Sequence, residues 1–204
     1  SACEVLLDAK IIAGLIVKSQ RGRAVWGKPW ITVTIEDELA LKLDADVFSQ
    51  VNPEGNRQML QQLLHHGDFH RADRLLELYS GAGNFTLPLA RRVDRVTAVE
   101  GNRTAVANGK LNAQNLELTN IDWVADDVPD ALGRLRRQRR RFTKIMLDPP
   151  RAGAKDIDGD LAALGAETIA YISCNPTTLA RDLAALTKRG YKLGVVQPMD
   201  FFPQ

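Results

Sequence analysis

From Arg74 onward the chain repeats one pattern, an apolar run of strand length, a turn and a helical stretch, and this repetition limits the possible folds more than any other feature. Leu75 to Tyr79, Arg95 to Glu100, Ile121 to Ala125, Lys144 to Asp148, Thr168 to Ser173 and Tyr191 to Val196 read as strands. Asn84 to Arg92, Arg103 to Asn115, Val128 to Arg140, Ile157 to Leu164 and Pro176 to Arg189 read as the helices around them. Runs such as Ile145-Met146-Leu147 lack polar alternation, so both faces of those strands must be covered. Strands joined by helices lie parallel. The expectation is an α/β protein with a doubly wound, mostly parallel, Rossmann-like sheet whose functional turns open at the carboxyl ends of the strands.

The first 48 residues differ. Val5 to Leu7, Ile11 to Val17 and Ile31 to Ile35 form a small β-rich segment, with Gly22 and Gly27-Lys28-Pro29 as turns. It reads as the remnant of an upstream domain, and residues 49–204 as the main one. Asn52 to His65, with Met59, Leu60, Leu63 and Leu64 on one side, is the helix that leads into it.

A chain of 204 residues that is 45% hydrophobic and 25% charged can bury one sizeable core. The formal net charge of +2 neither requires nor forbids a nucleic-acid partner. Six arginines crowd into positions 134–141, either as phosphate contacts or as a solvated helix face. The two cysteines, Cys3 and Cys174, have no metal-type spacing, so no metal site is readable. With no signal-peptide pattern at the start and no apolar run long enough for a bilayer, the expectation is a cytoplasmic protein that does not span a membrane.

Four turns carry the chemistry. Ser80-Gly81-Ala82-Gly83-Asn84 follows the first strand of the main region like a nucleotide-binding turn, although Thr86 stands where a dinucleotide fingerprint has a third glycine; glycines chosen for steric reasons alone are the alternative. Glu100 ends the second strand, where a carboxylate can take both hydroxyls of a ribose. Asp127, with Asp126 beside it, falls where an adenine amino group would be reached, or else caps the next helix. Asp148-Pro149-Pro150-Arg151 is a rigid turn that holds a carboxylate and a guanidinium at the pocket mouth. Ser173-Cys174-Asn175-Pro176 sets a cysteine where a helix begins, with Asn175 as cap and Pro176 in the first turn, and free N–H groups and the helix dipole favour a thiolate there; a small core hydrophobe is the alternative. His65, His66 and His70 all precede the α/β region, which argues against a Cys–His pair.

Together with Phe48-Ser49-Gln50-Val51-Asn52 and Leu76-Glu77-Leu78-Tyr79, these motifs, in this order, resemble the RNA uracil-C5 methyltransferase family, which uses S-adenosylmethionine. Met199-Asp200-Phe201-Phe202-Pro203-Gln204 also resembles the family, and with Thr178 to Asp182 it looks nearer the 23S ribosomal-RNA branch than the transfer-RNA branch. The resemblance implies that Gln50, Tyr79, Gly81, Gly83, Asn84, Glu100, Asp127 and Asp148 line the cofactor and target-base pocket. It makes Cys174 the nucleophile, with Asp148 and Arg151 as its catalytic companions. RNA is the implied partner, and a monomer the expected state.

Ser80 stands where the family carries a cysteine. The resemblance also implies an RNA-binding β-barrel and iron–sulfur cysteines upstream, and a proton-abstracting glutamate just beyond the Phe-Pro-Gln segment. The chain is therefore expected to be the catalytic domain of a longer enzyme, able to bind cofactor and form an adduct but stalled before proton loss. Two rivals stand beside this reading. An Asp-Pro-Pro amino-group methyltransferase would need no thiol, and a noncatalytic cofactor- or RNA-binding module would need no reaction at all.

Overall fold

The computed structural model of the chain describes residues 2–20, 22–37 and 39–201. It opens with a helix, α1 (Ala2–Asp8), where a strand is expected at Val5 to Leu7. Three apolar residues there are not held in a ladder, and the local signals favour a helix: Glu4 lies in the first turn, and Lys10 takes a left-handed φ of 54°. The Lys10 N–H bonds the Leu7 carbonyl and the Ile11 N–H the Leu6 carbonyl, the paired bonds of a helix C-cap.

Two antiparallel hairpins follow. β1 (Gly14–Ser19) pairs with β2 (Gly22–Gly27), and β3 (Trp30–Glu36) with β4 (Leu39–Asp44). β2 and β4 were not legible as strands. β4 nevertheless alternates cleanly, with Leu39, Leu41 and Leu43 buried and Ala40 and Lys42 exposed. The side-chain amide of buried Asn112 holds this hairpin to the main region by accepting from the Lys42 N–H at 2.9 Å and donating to its carbonyl at 3.0 Å.

Helix α2 (Pro53–Gly67) begins at the cap Asn52, whose Oδ1 accepts from the Gly55 N–H at 2.9 Å. It ends on Asp68 in the left-handed region, where the buried ammonium of Lys144 donates to the carbonyls of Gly67 and Asp68. A cation at this end offsets the negative pole of the helix dipole.

The main region then runs β5 (Arg74–Leu78), α3 (Thr86–Ala90), β6 (Arg95–Glu100), α4 (Arg103–Asn115), β7 (Ile121–Ala125), α5 (Val128–Arg137), β8 (Lys144–Leu147), α6 (Asp158–Leu164), β9 (Thr168–Tyr171) and α7 (Pro176–Lys188). The five strands form one parallel sheet in the order β7-β6-β5-β8-β9. Successive residues of β5 feed opposite cores. Leu75 joins Val96, Ala98 and Met146 under α2, α3 and the β3–β4 hairpin, while Leu76 and Leu78 join Ile145, Leu147, Leu132 and Leu161 under α5 and α6. This is the two-face burial that the unbroken apolar runs require.

The strand expected at Tyr191 to Val196 does not form. The backbone from Tyr191 to Asp200 has no regular structure, and Leu193, Val195 and Val196 are about 60% exposed. β-branched residues alone do not make a strand; the segment finds no ladder partner among the described residues.

Candidate active site

The carboxyl ends of β5, β6, β8 and β9 bring the predicted turns to one edge of the sheet. After β5 the backbone makes a sharp reversal, with φ of 62° at Tyr79, 56° at Gly81 and 98° at Gly83. Gly83 is also packed tightly, since a Cβ there would lie 3.1 Å from the Trp123 ring and 3.2 Å from Leu87. A Cβ on Gly81 would meet open space, so this glycine faces the crevice. Asn84 does not face an open crevice with a free amide. Its side chain forms a reciprocal pair with Asn56 of α2, with bonds of 2.8 and 2.9 Å, which pins the glycine turn to that helix.

Glu100 spans the first two turns. Its Oε2 accepts from the Gly81 N–H at 3.0 Å and its Oε1 from the Asn102 N–H at 2.7 Å. Each oxygen keeps a further lone pair for a hydroxyl. Next to it, Asp127 places Oδ1 where a Cβ on Gly101 would approach within 3.1 Å. Asp127 occupies the cap position of α5 without making a side-chain cap bond, whereas Asp126 is held by Arg134 at 2.7 Å. Of the two carboxylates, Asp127 is the uncommitted one.

β8 runs directly beside β5 and delivers Asp148, whose burial raises its carboxyl to about 6. A third acid, Glu77, stands outside the expected site residues. It sits within β5, 1% exposed, with neither carboxyl oxygen hydrogen-bonded in good geometry. Burial pushes it up to about 8, against a smaller opposing effect of the neighbouring Thr86 hydroxyl, and the charges of Asp148 and Glu100 add to the rise. The signal was present in the sequence as one acid inside the apolar run Leu75-Leu76-Glu77-Leu78. A glycine turn with open space at Gly81, beside the carboxylates of Glu100 and Asp127, fits a nucleoside.

β9 leads to Cys174, which is exposed. Asn175 caps α7 by accepting from the Thr177 N–H at 3.0 Å, and Pro176 opens the helix. The core-hydrophobe alternative is thereby excluded. The same helix start grips the Asp148–Arg151 turn: the Asn175 amide and the Thr178 hydroxyl each donate to the Arg151 carbonyl at 3.2 Å. Further along, buried Asp182 accepts from the Ala154 N–H and the Tyr171 hydroxyl, both at 2.7 Å, and Arg181 donates to the Ala152 carbonyl at 2.8 Å. Arg151 itself is exposed. Cys174 follows a strand two places from β5, about 10 Å at roughly 4.8 Å per strand.

Gln50 is half-buried in the loop before α2. The adjoining Asn52 donates to the Phe201 carbonyl at 2.8 Å, and the Phe201 ring lies where a Cβ on Gly55 would come within 2.7 Å. Two motifs far apart in sequence thus meet at the start of α2; Phe202, Pro203 and Gln204 lie outside the described residues.

A sequence profile described as tRNA (uracil-5-)-methyltransferase matches residues 4–204. The chain is 38% identical over 167 residues to a 23S rRNA (uracil(1939)-C(5))-methyltransferase RlmD of Legionella pneumophila, covering 81% of this chain and 38% of that protein. It is 40% identical over 176 residues to the protein of the same name from Photorhabdus laumondii, covering 86% and 40%. The chain therefore spans about two fifths of the length of these relatives. Among solved structures, the Pyrococcus abyssi tRNA (uracil-54, C5)-methyltransferase in complex with S-adenosyl-L-homocysteine superposes with a TM-score of 0.66 at 24% identity, over 86% of this chain and 44% of that one. An S-adenosylmethionine-dependent methyltransferase from Agrobacterium tumefaciens gives 0.61 at 16% identity, over 90% and 67%. These two neighbours establish the methyltransferase fold, and the profile and the relatives place the chain in the RNA uracil-C5 methyltransferase family.

Proposed function

We propose that this chain is the methyl-transferring part of an enzyme that modifies C5 of a uridine in RNA, with 23S ribosomal RNA as the substrate class, by way of a covalent bond between Cys174 and C6. Residues 49–204 form the methyltransferase unit of this proposal, and residues 1–48 belong with an upstream domain. The observation that carries the reading is the joining of two turns. An exposed thiol at the start of α7 is fixed to the turn that presents Asp148 and Arg151 through the two bonds to the Arg151 carbonyl. The names of the relatives support the substrate class.

S-adenosylmethionine, when bound, supplies an electrophilic methyl group. In this reading Glu100 takes the ribose hydroxyls, Asp127 the adenine amino group, and Gly81 leaves room for the nucleoside; the free lone pairs of Glu100, the missing cap bond of Asp127 and the open space at Gly81 support it. The thiolate of Cys174 adds to C6 of the uracil and moves the C5–C6 electron pair toward the C4 oxygen, which makes C5 nucleophilic. The enolate oxygen needs a donor. The Asn175 N–H is held by the Ser173 hydroxyl, Pro176 has none, and the Thr177 N–H is held by Asn175. The oxyanion is therefore assigned to Arg151 or to the Thr178 N–H, and Asp148 to orienting the base. Loss of the C5 proton to a base and expulsion of the thiolate complete the exchange. The target nucleotide must be splayed out of its loop to reach the site.

The test is methyl transfer from radiolabelled S-adenosylmethionine to 23S ribosomal RNA fragments, followed by complete digestion and nucleoside chromatography. The label is expected on C5 of uridine, either released or still bonded through C6 to Cys174. Label on an exocyclic amine that survives Cys174→Ser would establish the amino-group rival instead.

A further inference from the structure

Five of the six arginines at positions 134–141 fall into two groups. Arg134 and Arg136 are ion-paired, with Asp126 and Asp160, each at 2.7 Å. Arg139, Arg140 and Arg141 instead turn toward the opposite end of the sheet from Cys174. There they line a recess of about 230 Å3 with Arg74 and Arg95, the first residues of β5 and β6. Five arginines line this recess, the Arg141 guanidinium also donating to the Ala163 carbonyl at 2.7 Å, and Asp122, bonded to Arg95 at 2.9 Å and 3.8 Å from Arg140, is the one carboxylate paired with any of them among the described residues. Arg74 and Arg139 have no ion partner there.

Two further observations point to a ligand. Thr97, 2% exposed, lines the same recess, and its buried hydroxyl has no hydrogen-bond partner. Arg139 also holds a left-handed φ of 54° at the C-cap of α5, where its N–H bonds the Arg136 carbonyl and the Arg140 N–H bonds the Leu135 carbonyl. Glycine is the residue that suits this position. An arginine there is strained, and strain held in place is a reason to look for function. Planar guanidiniums grouped around a hydroxyl match the oxygens of a phosphate as well as those of a carboxylate.

We propose that this recess binds a backbone phosphate of the RNA substrate, a second anchoring point on the sheet edge opposite the catalytic turns. The separation follows from β5 itself, five residues long and so roughly 15 Å from end to end. The choice of RNA over an acidic protein rests on the function proposed above.

The experiment is fluorescence anisotropy of a labelled 23S ribosomal RNA fragment against the 204-residue chain over a series of salt concentrations. It uses wild type, Arg139→Gly, and Arg74→Gln with Arg139→Gly. The glycine variant relieves the cap, so it retains the fold while removing one cation. We expect the double variant to bind RNA about 10-fold or more weakly at moderate salt. Its log–log salt slope should fall by about 1, as for one lost phosphate contact, with S-adenosylmethionine affinity unchanged. Inorganic phosphate should compete for wild type and not for the double variant. Equal RNA affinity and slope in all three proteins would overturn the proposal. So would polyglutamate binding that depends on these arginines while RNA binding does not. Failure of the catalytic reading has a different signature, a methylation that does not need Cys174 alongside arginine-dependent RNA binding.

Discussion

Replacing Glu77 by glutamine should change the pH dependence of stability more than any other single substitution in the sheet. The carboxyl is 1% exposed and raised from 4.5 to about 8, chiefly by burial. A raised value means that the folded state holds the proton more tightly than the unfolded chain. The protonated acid is therefore fully tolerated below about 4.5, and stability drains away as pH rises toward 8. With about 1.36 kcal/mol for each pH unit between the two values, folding at pH 7 is opposed by about 3 kcal/mol relative to pH 4.5. Glutamine fills the same space and stays neutral, so Glu77→Gln removes this penalty whatever it does to local hydrogen bonding. The assay is thermal or urea unfolding of both proteins at pH 4.5, 6, 7 and 8. The stability difference, variant minus wild type, should grow by about 3 kcal/mol between pH 4.5 and 7, a change in Tm of roughly 6–12 °C for a chain of this size, and by about 4 kcal/mol by pH 8. A difference that stays constant with pH, or shrinks, would refute the reasoning, because Glu77 would then be ionised in the folded state or hydrated.

Four further outcomes are expected. Asp127→Ala should leave stability within about 0.5 kcal/mol, since it makes no cap bond, yet weaken S-adenosylmethionine binding about 10-fold by calorimetry; Asn102→Ala, which removes a true cap of α4, should cost about 1 kcal/mol of stability. Gly83→Ala should destabilise more than Gly81→Ala in urea titrations, because both impose about 1 kcal/mol of left-handed strain but Gly83 also meets Trp123 and Leu87. Asp182→Ala should cost about 2–4 kcal/mol and increase proteolysis of the 151–154 turn, because it strips buried partners from Tyr171 and Ala154. RNA methylation should fall as pH drops below about 6, where Asp148 becomes protonated, and Asp148→Asn should show a low rate without that acid limb.

The sheet was legible because its strands are uniformly apolar and its turns carry glycine, proline and asparagine at positions set by backbone geometry. α4 and β7 fall on the expected residues, Arg103–Asn115 and Ile121–Ala125, since Asn102 and the apolar spacing define both ends. The cap at Asn175 was equally readable. Tertiary partners were not. Tyr191 to Val196 has strand composition without a neighbour to pair with among the described residues, and β4 is buried on one face only, so its hairpin partner decides its state. Within the site, Asn84 turned out to be committed to Asn56, a contact between residues 28 apart that no local pattern announces. Glu77 was visible as an anomaly in an apolar strand, but its raised value depends on a buried position beside Asp148 and Glu100 that only the fold supplies. The arginine run could not be divided between ion pairs and open recess until Arg74 and Arg95 arrived from other strands.

The central claim is that Cys174 bonds to the uracil ring, and intact-protein mass spectrometry reads this directly. The chain is incubated with S-adenosylmethionine and an RNA that carries 5-fluorouridine at the target position, where fluorine cannot be lost as a proton. Wild type should gain the mass of the RNA plus one methyl group, peptide mapping should locate it on Cys174, and Cys174→Ala should gain nothing. An adduct of equal yield on Cys174→Ala, or methylated RNA released from wild type with no adduct at any time, would contradict the account.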